Sequence, residues 1–287
     1  NKVTLVGAAQ NNRKGFTVDS PLNTLTVVTG VSGSGKTSLV KGILYPAMLR
    51  ETQQYSTQKI GEVKEVNGDL NSISTTELVD QNPIGKSSRS NPVTYVKAYD
   101  LIRDLYSTMP LSKQRGFKPK HFSFNVDGGR CENCQGEGEE IVEMQFMADL
   151  HLTCEDCGGM RFMDEVLEVK FKQKSIFDVL NLTVDEAIEF FQGQRSLINK
   201  LLPLQEVGLG YVKLGQSSNS LSGGEAQRIK LATFLAKSQH KEKVLFIFDE
   251  PTTGLHFHDI KKLLKSFNAL IDKGHSIVVI EHNLDVV

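Results

Sequence analysis

The sequence predicts an α/β fold with a parallel sheet, interrupted by a long and mostly helical insert. Three observations lead there. An apolar run over residues 25–29 precedes Gly30-Val31-Ser32-Gly33-Ser34-Gly35-Lys36-Thr37, and a helix-like segment follows over 38–50. A second apolar run, Val244-Leu245-Phe246-Ile247-Phe248, ends in Asp249-Glu250, the pattern of a buried parallel strand. Between the two lie four cysteines in two close pairs, Cys131 with Cys134 and Cys154 with Cys157.

Composition sets the frame. A chain of 287 residues suffices for one large domain or two modest ones. Its 39% hydrophobic and 23% charged residues are ordinary for a globular protein, and a formal net charge of −1 means that any basic site must be local. No apolar run reaches the length of a membrane span, and the first residues lack a signal-peptide pattern, so the expected compartment is the cytoplasm. Thiols stay reduced there, so the cysteines read first as metal ligands and second as disulfides.

Taken in order, residues 3–6 read as a strand and 25–29 as the strand feeding the glycine loop. Strand, loop and helix in that order are what a phosphate cradle requires. Glycines let successive backbone N–H groups turn inward, and the helix N-terminus adds its positive end. Lys36 is spaced to reach the β- and γ-phosphates of a nucleotide, and the Thr37 hydroxyl to ligate Mg²⁺. Residues 51–75 read as a polar connection without apolar period, 76–79 as a strand ending at Asp80-Gln81, and 95–107 as a helix.

Charge then becomes uneven. From Lys86 to Arg130 there are nine Lys/Arg against three Asp/Glu, and from Cys131 to Glu168 one Arg against eleven Asp/Glu. The basic half interleaves cations with aromatics (Arg115, Phe117, Lys118, Lys120, His121, Phe122), as a nucleic-acid surface does; a solvated face is the alternative. The two CxxC pairs lie nineteen residues apart and match a structural zinc site of four thiolates, with no position open for catalysis. A redox CxxC predicts a single pair instead. The partial alternation over 141–147 suits a hairpin between the knuckles. Next come a strand over 166–171, a helix over 187–191 opened by a capping box at Thr183 and Glu186, and a helix over 194–207 limited or kinked by Pro203.

Leu221-Ser222-Gly223-Gly224-Glu225 precedes a further helix and lies just upstream of the strand ending at Asp249-Glu250. At the C-terminal end of a parallel strand, Asp249 is placed to hold Mg²⁺ and Glu250 to polarise an attacking water. A last apolar strand over 277–280 brings Glu281 and His282 to the same edge, His282 being placed to sense a γ-phosphate.

The order of these motifs is that of an ABC-type ATPase module: a P-loop NTPase core with an inserted, mostly helical domain carrying a four-cysteine zinc module. Within that superfamily, VTGVSGSGKTSL, DQNPIG, RSNPVTY, FSFNVDGGRCENCQGEG, CEDCGGMRF, LSGGEAQRIKLA, DEPTTGLH and IEHN resemble the C-terminal module of the UvrA family, the DNA-damage-recognition ATPases of bacterial nucleotide-excision repair. The resemblance implies ATP, Mg²⁺ and Zn²⁺ as cofactors. It implies a core in two parts, 1–85 and 221–287, around an inserted signature and DNA-binding domain at 86–220 whose zinc module covers about 119–170. It assigns Gly30, Ser32, Gly33, Ser34, Gly35, Lys36, Thr37 and Ser38 to ATP and Mg²⁺, and Gln81 to sensing the metal or the water. Ser222, Gly223 and Gly224 would contact the ATP of another module. DNA would be met at Lys86, Arg89, Ser90, Arg115, Lys118 and Lys120. The implied partners are damaged duplex DNA, an N-terminal ABC module of the same protein, a second copy of the full-length protein, and excision-repair helicase and nuclease subunits, with no membrane. Where the family shows Arg-Thr-Pro-Arg, this chain has Lys86-Ser87-Ser88-Arg89, and lysine lacks the bidentate phosphate geometry of arginine. Two alternatives remain: a paralogue that binds or confers resistance without repair activity, and a transporter ATPase subunit, which the four-cysteine module opposes.

Overall fold

The computed structural model describes every residue except 9–14, 32, 55–62, 88, 143, 145–149, 237–241, 256, 283–285 and 287, with the backbone only at 257 and 258. The strands are β1 (Lys2–Ala8), β2 (Phe16–Pro21), β3 (Leu25–Val28), β4 (Glu65–Gly68), β5 (Thr75–Val79), β6 (Glu139–Val142), β7 (Leu150–Thr153), β8 (Val244–Asp249) and β9 (Ser276–Ile280). The α-helices are α1 (Tyr45–Glu51), α2 (Pro92–Tyr95), α3 (Tyr99–Ser107), α4 (Pro110–Arg115), α5 (Asp164–Leu167), α6 (Ile176–Leu180), α7 (Val184–Phe190), α8 (Arg195–Glu206), α9 (Gly223–Ala236) and α10 (Phe257–Asp272). The chain divides into two compact units, one of residues 1–82, 206–208 and 222–287, the other of 83–205 and 209–221.

The first unit holds a four-stranded parallel sheet in the order β3-β9-β8-β5 and a three-stranded antiparallel sheet in the order β2-β1-β4. β8 and β9 are buried nearly throughout, which is why they read as unbroken apolar runs. Alternate side chains serve opposite faces. Leu245, Ile247, Val278 and Ile280 join Val40, Ile43, Met48, Val3 and Leu5 in one core. On the other face Phe246 meets Phe234 of α9, and Phe248 meets Phe267 of α10, with ring centroids 4.9 and 4.8 Å apart.

In the second unit, Tyr99 and Tyr106 of α3 pack on Phe124 and Phe122. The Tyr99 hydroxyl donates to the carbonyl of Phe122 at 2.6 Å, so its polar end is satisfied in the core. Burial lifts both tyrosine hydroxyls well above the ordinary range, which keeps them neutral donors. α7 opens as the sequence predicts: Thr183 Oγ1 accepts from the Glu186 N–H, and Glu186 Oε2 accepts from the Thr183 N–H.

Four local expectations change. Residues 38–50 are helical, but Ser38–Leu44 is a π-helix and the α-helical ladder restarts at Tyr45, next to Pro46, which has no N–H to donate. The segment 51–75 contains β4, which pairs with β1; its short alternation is too weak to announce a strand whose partner lies sixty residues away. The helix expected over 95–107 is broken at Lys97, whose φ of 57° ends α2 before α3 begins. Residues 166–171 are not a strand. Asp164 and Glu165 supply a negative first turn to α5, and Val166 and Val169 are buried three residues apart, a helical spacing. The expected hairpin between the knuckles is present as β6 and β7, with Val142 opposite Leu150; residues 143 and 145–147 of the alternating stretch lie outside the described residues. Among the described residues, no helix is long and apolar enough to cross a membrane.

Candidate functional site

All four strands of the parallel sheet deliver candidate site residues at their C-terminal ends: β3 the glycine loop, β5 Gln81, β8 Asp249 and Glu250, β9 Glu281 and His282. The first unit thereby builds a cavity of about 250 Å³ lined by Gly33, Gly35, Lys36, Thr37, Ser38, Glu250 and His282. Gly33 and Gly35 have φ of 74° and 86°, left-handed values that glycine adopts without strain, so the loop can wrap an anion with its backbone. Lys36 is buried, and its ammonium donates to the carbonyls of Gly30 and Val31 at 2.8 and 2.9 Å, which holds the charge against the loop. Gly30 and Ser34 belong to the same loop; Ser32 lies outside the described residues.

Glu250 and His282 face each other across this cavity, Oε1 to Nε2 at 3.2 Å. The Glu250 backbone has φ of 48°, uncommon for a residue with a side chain and found where a functional group must be aimed. Its N–H donates to the carbonyl of Ile280 at 2.9 Å, tying it to the end of β9. Asp249 ends β8 and is engaged by the ammonium of Lys41. Gln81 donates its amide to the carbonyls of Asp249 and Glu250, both at 3.2 Å, so it braces the end of β8.

Three residues that sequence reasoning left unassigned belong to this arrangement. Glu281 is buried, and its carboxylate accepts from the Thr252 N–H (3.0 Å), the Thr252 hydroxyl (2.5 Å) and the His282 N–H (2.9 Å). Gln227, buried on α9, donates to the carbonyls of Val79 (2.6 Å) and Asp249 (3.3 Å). Lys41 is the third. An acid at the end of an apolar strand was the available signal for Glu281; nothing local distinguishes Lys41 or Gln227 from other helix residues.

Ser222 caps α9 in a box with Glu225, its hydroxyl accepting from the Glu225 N–H while Glu225 Oε2 accepts from the Ser222 N–H. Gly223 packs so closely on Gln81 that a Cβ there would sit 2.9 Å from its side chain. Ser222, Gly223 and Gly224 are not among the residues lining the cavity.

In the second unit the four cysteines come together. All are buried, and their sulfurs lie within 4.8 Å of one another, with Cys131 to Cys154 at 3.9 Å and Cys134 to Cys157 at 3.7 Å. A tetrahedral zinc with Zn–S of about 2.3 Å requires S–S edges of roughly 3.8 Å, so the donor set fits that ion. These separations are far longer than a disulfide bond. The Gly138 N–H donates to Cys134 Sγ at 3.2 Å, a contact that favours a thiolate. Burial pushes Cys134 up to about 12 and raises Cys157 as well, so a cation between the sulfurs would favour the ionised form of these two.

The six basic-region residues do not form one free surface. Lys86, Lys118 and Lys120 are exposed. Arg89 is turned onto the first knuckle, donating to the carbonyl of Gln135 at 3.2 Å and pairing with Glu137 at 3.2 Å. Arg115 pairs with Glu168 and donates to the carbonyl of Glu165 at 2.7 Å. Ser90 accepts at its carbonyl from the Ser218 N–H at 2.7 Å and is half-buried.

No protein-family model matches the chain. It is 52% identical over 287 residues to the UvrABC system protein A of Clostridium perfringens, covering 100% of this chain and 30% of that protein. The UvrABC system protein A of Aquifex aeolicus is 50% identical over 286 residues, 99% of this chain and 30% of the relative. The crystal structure of UvrA2 from Deinococcus radiodurans superposes with a TM-score of 0.90 at 44% identity, covering 99% of this chain and 34% of that one. The chain therefore matches UvrA proteins along its whole length, shares their P-loop ATPase fold, and spans about 30% of the length of those curated relatives.

Proposed function

We propose that this chain, similar throughout to UvrA, is an ATP-binding and ATP-hydrolysing module of a DNA-damage-recognition protein in bacterial nucleotide-excision repair. The observation that carries the reading is the convergence of three adjacent parallel strand ends, those of β3, β8 and β9, on one cavity holding Lys36, Thr37, Glu250 and His282. The loop backbone and Lys36 bind the phosphates of ATP. Thr37 and Asp249 are the residues that would hold Mg²⁺. When bound, that ion adds positive charge against the phosphate oxygens. Glu250 takes a proton from, or orients, the attacking water, and His282, whose Nε2 lies 3.2 Å from the Glu250 carboxylate, is the donor that would turn to the γ-phosphate. Gln81, held to the carbonyl of Asp249, is the residue that would sense the metal or the water.

Ser222, Gly223 and Gly224 cap their own helix and stand apart from the cavity lining, which fits a role against the nucleotide of a second ABC module. In that arrangement neither module is complete alone, and the UvrA dimer and an N-terminal ABC module supply the counterpart. The four buried thiols hold Zn²⁺, which ties the two knuckles together; unbonded thiols in this pattern fit the cytoplasm. Lys86, Lys118 and Lys120 are the exposed cations that would meet DNA phosphates first, while Arg89, Ser90 and Arg115 contribute after exchanging their present partners. The remaining excision-repair subunits would dock on the assembled protein.

The test is ATP turnover together with binding to damaged and undamaged duplex, on the full-length protein that contains this chain, with Glu250→Gln alongside. Turnover that collapses in the variant while nucleotide still binds supports the reading. A protein that binds neither duplex at low salt, with or without ATP, would overturn the repair function.

A further inference from the structure

Two lysines of the loop and the helix after it have different partners, and of the two Lys36 lines the cavity. Lys36 is bound to the carbonyls of its own loop. Lys41 stands one turn further along, in the π-helical segment Ser38–Leu44 that starts directly after Thr37, and its ammonium is paired with Oδ2 of Asp249. The pair is half-buried, with the two side chains 31% and 23% exposed, so water screens it less than a surface pair. The π-helix has its own bonding: the Tyr45 N–H reaches back to the carbonyl of Val40, five residues earlier. Asp249 is held from the other side as well, since its backbone carbonyl accepts from Gln81 and Gln227. The backbone that carries the carboxylate is therefore braced, and the ammonium on it is the longer-stemmed, more adjustable partner.

We propose that Lys41 is a resident counter-ion of Asp249, and that a divalent metal must displace it to use this carboxylate. Lys41 thereby sets the Mg²⁺ concentration at which the nucleotide site becomes competent. The physical basis is competition for one negative charge. An ammonium neutralises Asp249 without a bound ion, and a divalent cation gains that carboxylate only after the ammonium swings off. The inference rests on Asp249 being the metal's carboxylate, as in the function proposed above.

The experiment titrates Mg²⁺ against a fluorescent ATP analogue bound to this chain, and reads direct Mn²⁺ binding by electron paramagnetic resonance. Lys41→Met keeps the stem and removes the charge; the Mg²⁺ midpoint is expected to fall by about fivefold, the scale of a partly exposed ion pair. Lys41→Arg offers the carboxylate a planar fork, and its midpoint is expected to rise. The two variants move the midpoint in opposite directions, so a misfolded Met variant, detected by circular dichroism, leaves the Arg variant to decide. Midpoints unchanged in well-folded variants that still bind nucleotide overturn the role of Lys41 and leave the ATP site standing. If the parent chain binds no analogue at any Mg²⁺ concentration, the reading of the site itself fails, and the role of Lys41 with it.

Discussion

The two units fix their chemistry-bearing residues by different means. In the first, four parallel strands carry a site on their ends, and β8 and β9 are buried along nearly their whole length. In the second, the knuckles flank a two-stranded hairpin whose described residues are exposed on every position of both strands. A sheet with a core on both faces needs no metal to hold its strand ends in register. A hairpin that buries almost nothing has no such reserve, and the four sulfurs are its substitute for a core. Removing one strand residue from the sheet leaves many other contacts, whereas removing one thiolate opens the whole cross-link.

The largest expected effect breaks this comparison open. Chelation, or Cys154→Ser, should release close to one zinc per chain and raise amide exchange across residues 130–162, while β8 and β9 keep their protection. Structural zinc sites supply about 10–16 kcal/mol of apparent binding energy, so the loss should be cooperative. Equal loosening of both units, or zinc far below one per chain in fresh protein, would show that the sulfurs are not the hairpin's substitute for a core. Next in size is Glu250→Gln in the full-length protein: turnover should drop by roughly 10²–10⁴-fold with nucleotide affinity little changed. A drop in affinity alone would place Glu250 in binding and not in chemistry.

A smaller effect tests how rigidly the sheet end is held. Glu281→Gln leaves one acceptor for three donors, and an unsatisfied buried group costs about 1–3 kcal/mol. Thermal melting should fall, and turnover should fall more than nucleotide binding, since Glu281 ties the turn after Glu250 to His282. Glu281→Asp should recover part of both. The smallest effect lies at the α7 cap. Thr183→Ala should cost about 1 kcal/mol in urea unfolding. Hydrogen bonds from the Thr183 backbone and hydroxyl hold Glu186 below the ordinary value of 4.5, so its contribution is present above that pH and disappears as pH falls through the lowered native value. In Glu186→Gln that acid-side dependence should be missing.

Much of this was legible because each signal was local. The glycine loop, the unbroken apolar runs of β8 and β9 and the cysteine spacing each carry their meaning within a few residues. What was hidden depended on distant partners. β4 acquires its identity from β1, and the π-helix from the position of Pro46. Residues 166–171 carry enough apolar side chains for a strand, yet the acids before them start a helix. At the site, Lys41 meets Asp249 across more than two hundred residues of chain, beyond the reach of any local pattern. Charge counting found the basic half but not its pairing: Arg89 and Arg115 are already matched to Glu137 and Glu168, acids from the neighbouring negative stretch.

The end of β9 has a further consequence, for tolerance to length change. Two successive residues there face different surroundings: Glu281 turns into the buried bonds of Thr252, and His282 borders the cavity. A single residue inserted into β9 would shift that register by one, moving Glu281 to the place where His282 borders the cavity and Ile280 to the place where Glu281 meets Thr252. Substitutions along the strand can be absorbed one at a time, but its residue count is the setting that keeps the Glu281 carboxylate out of the cavity.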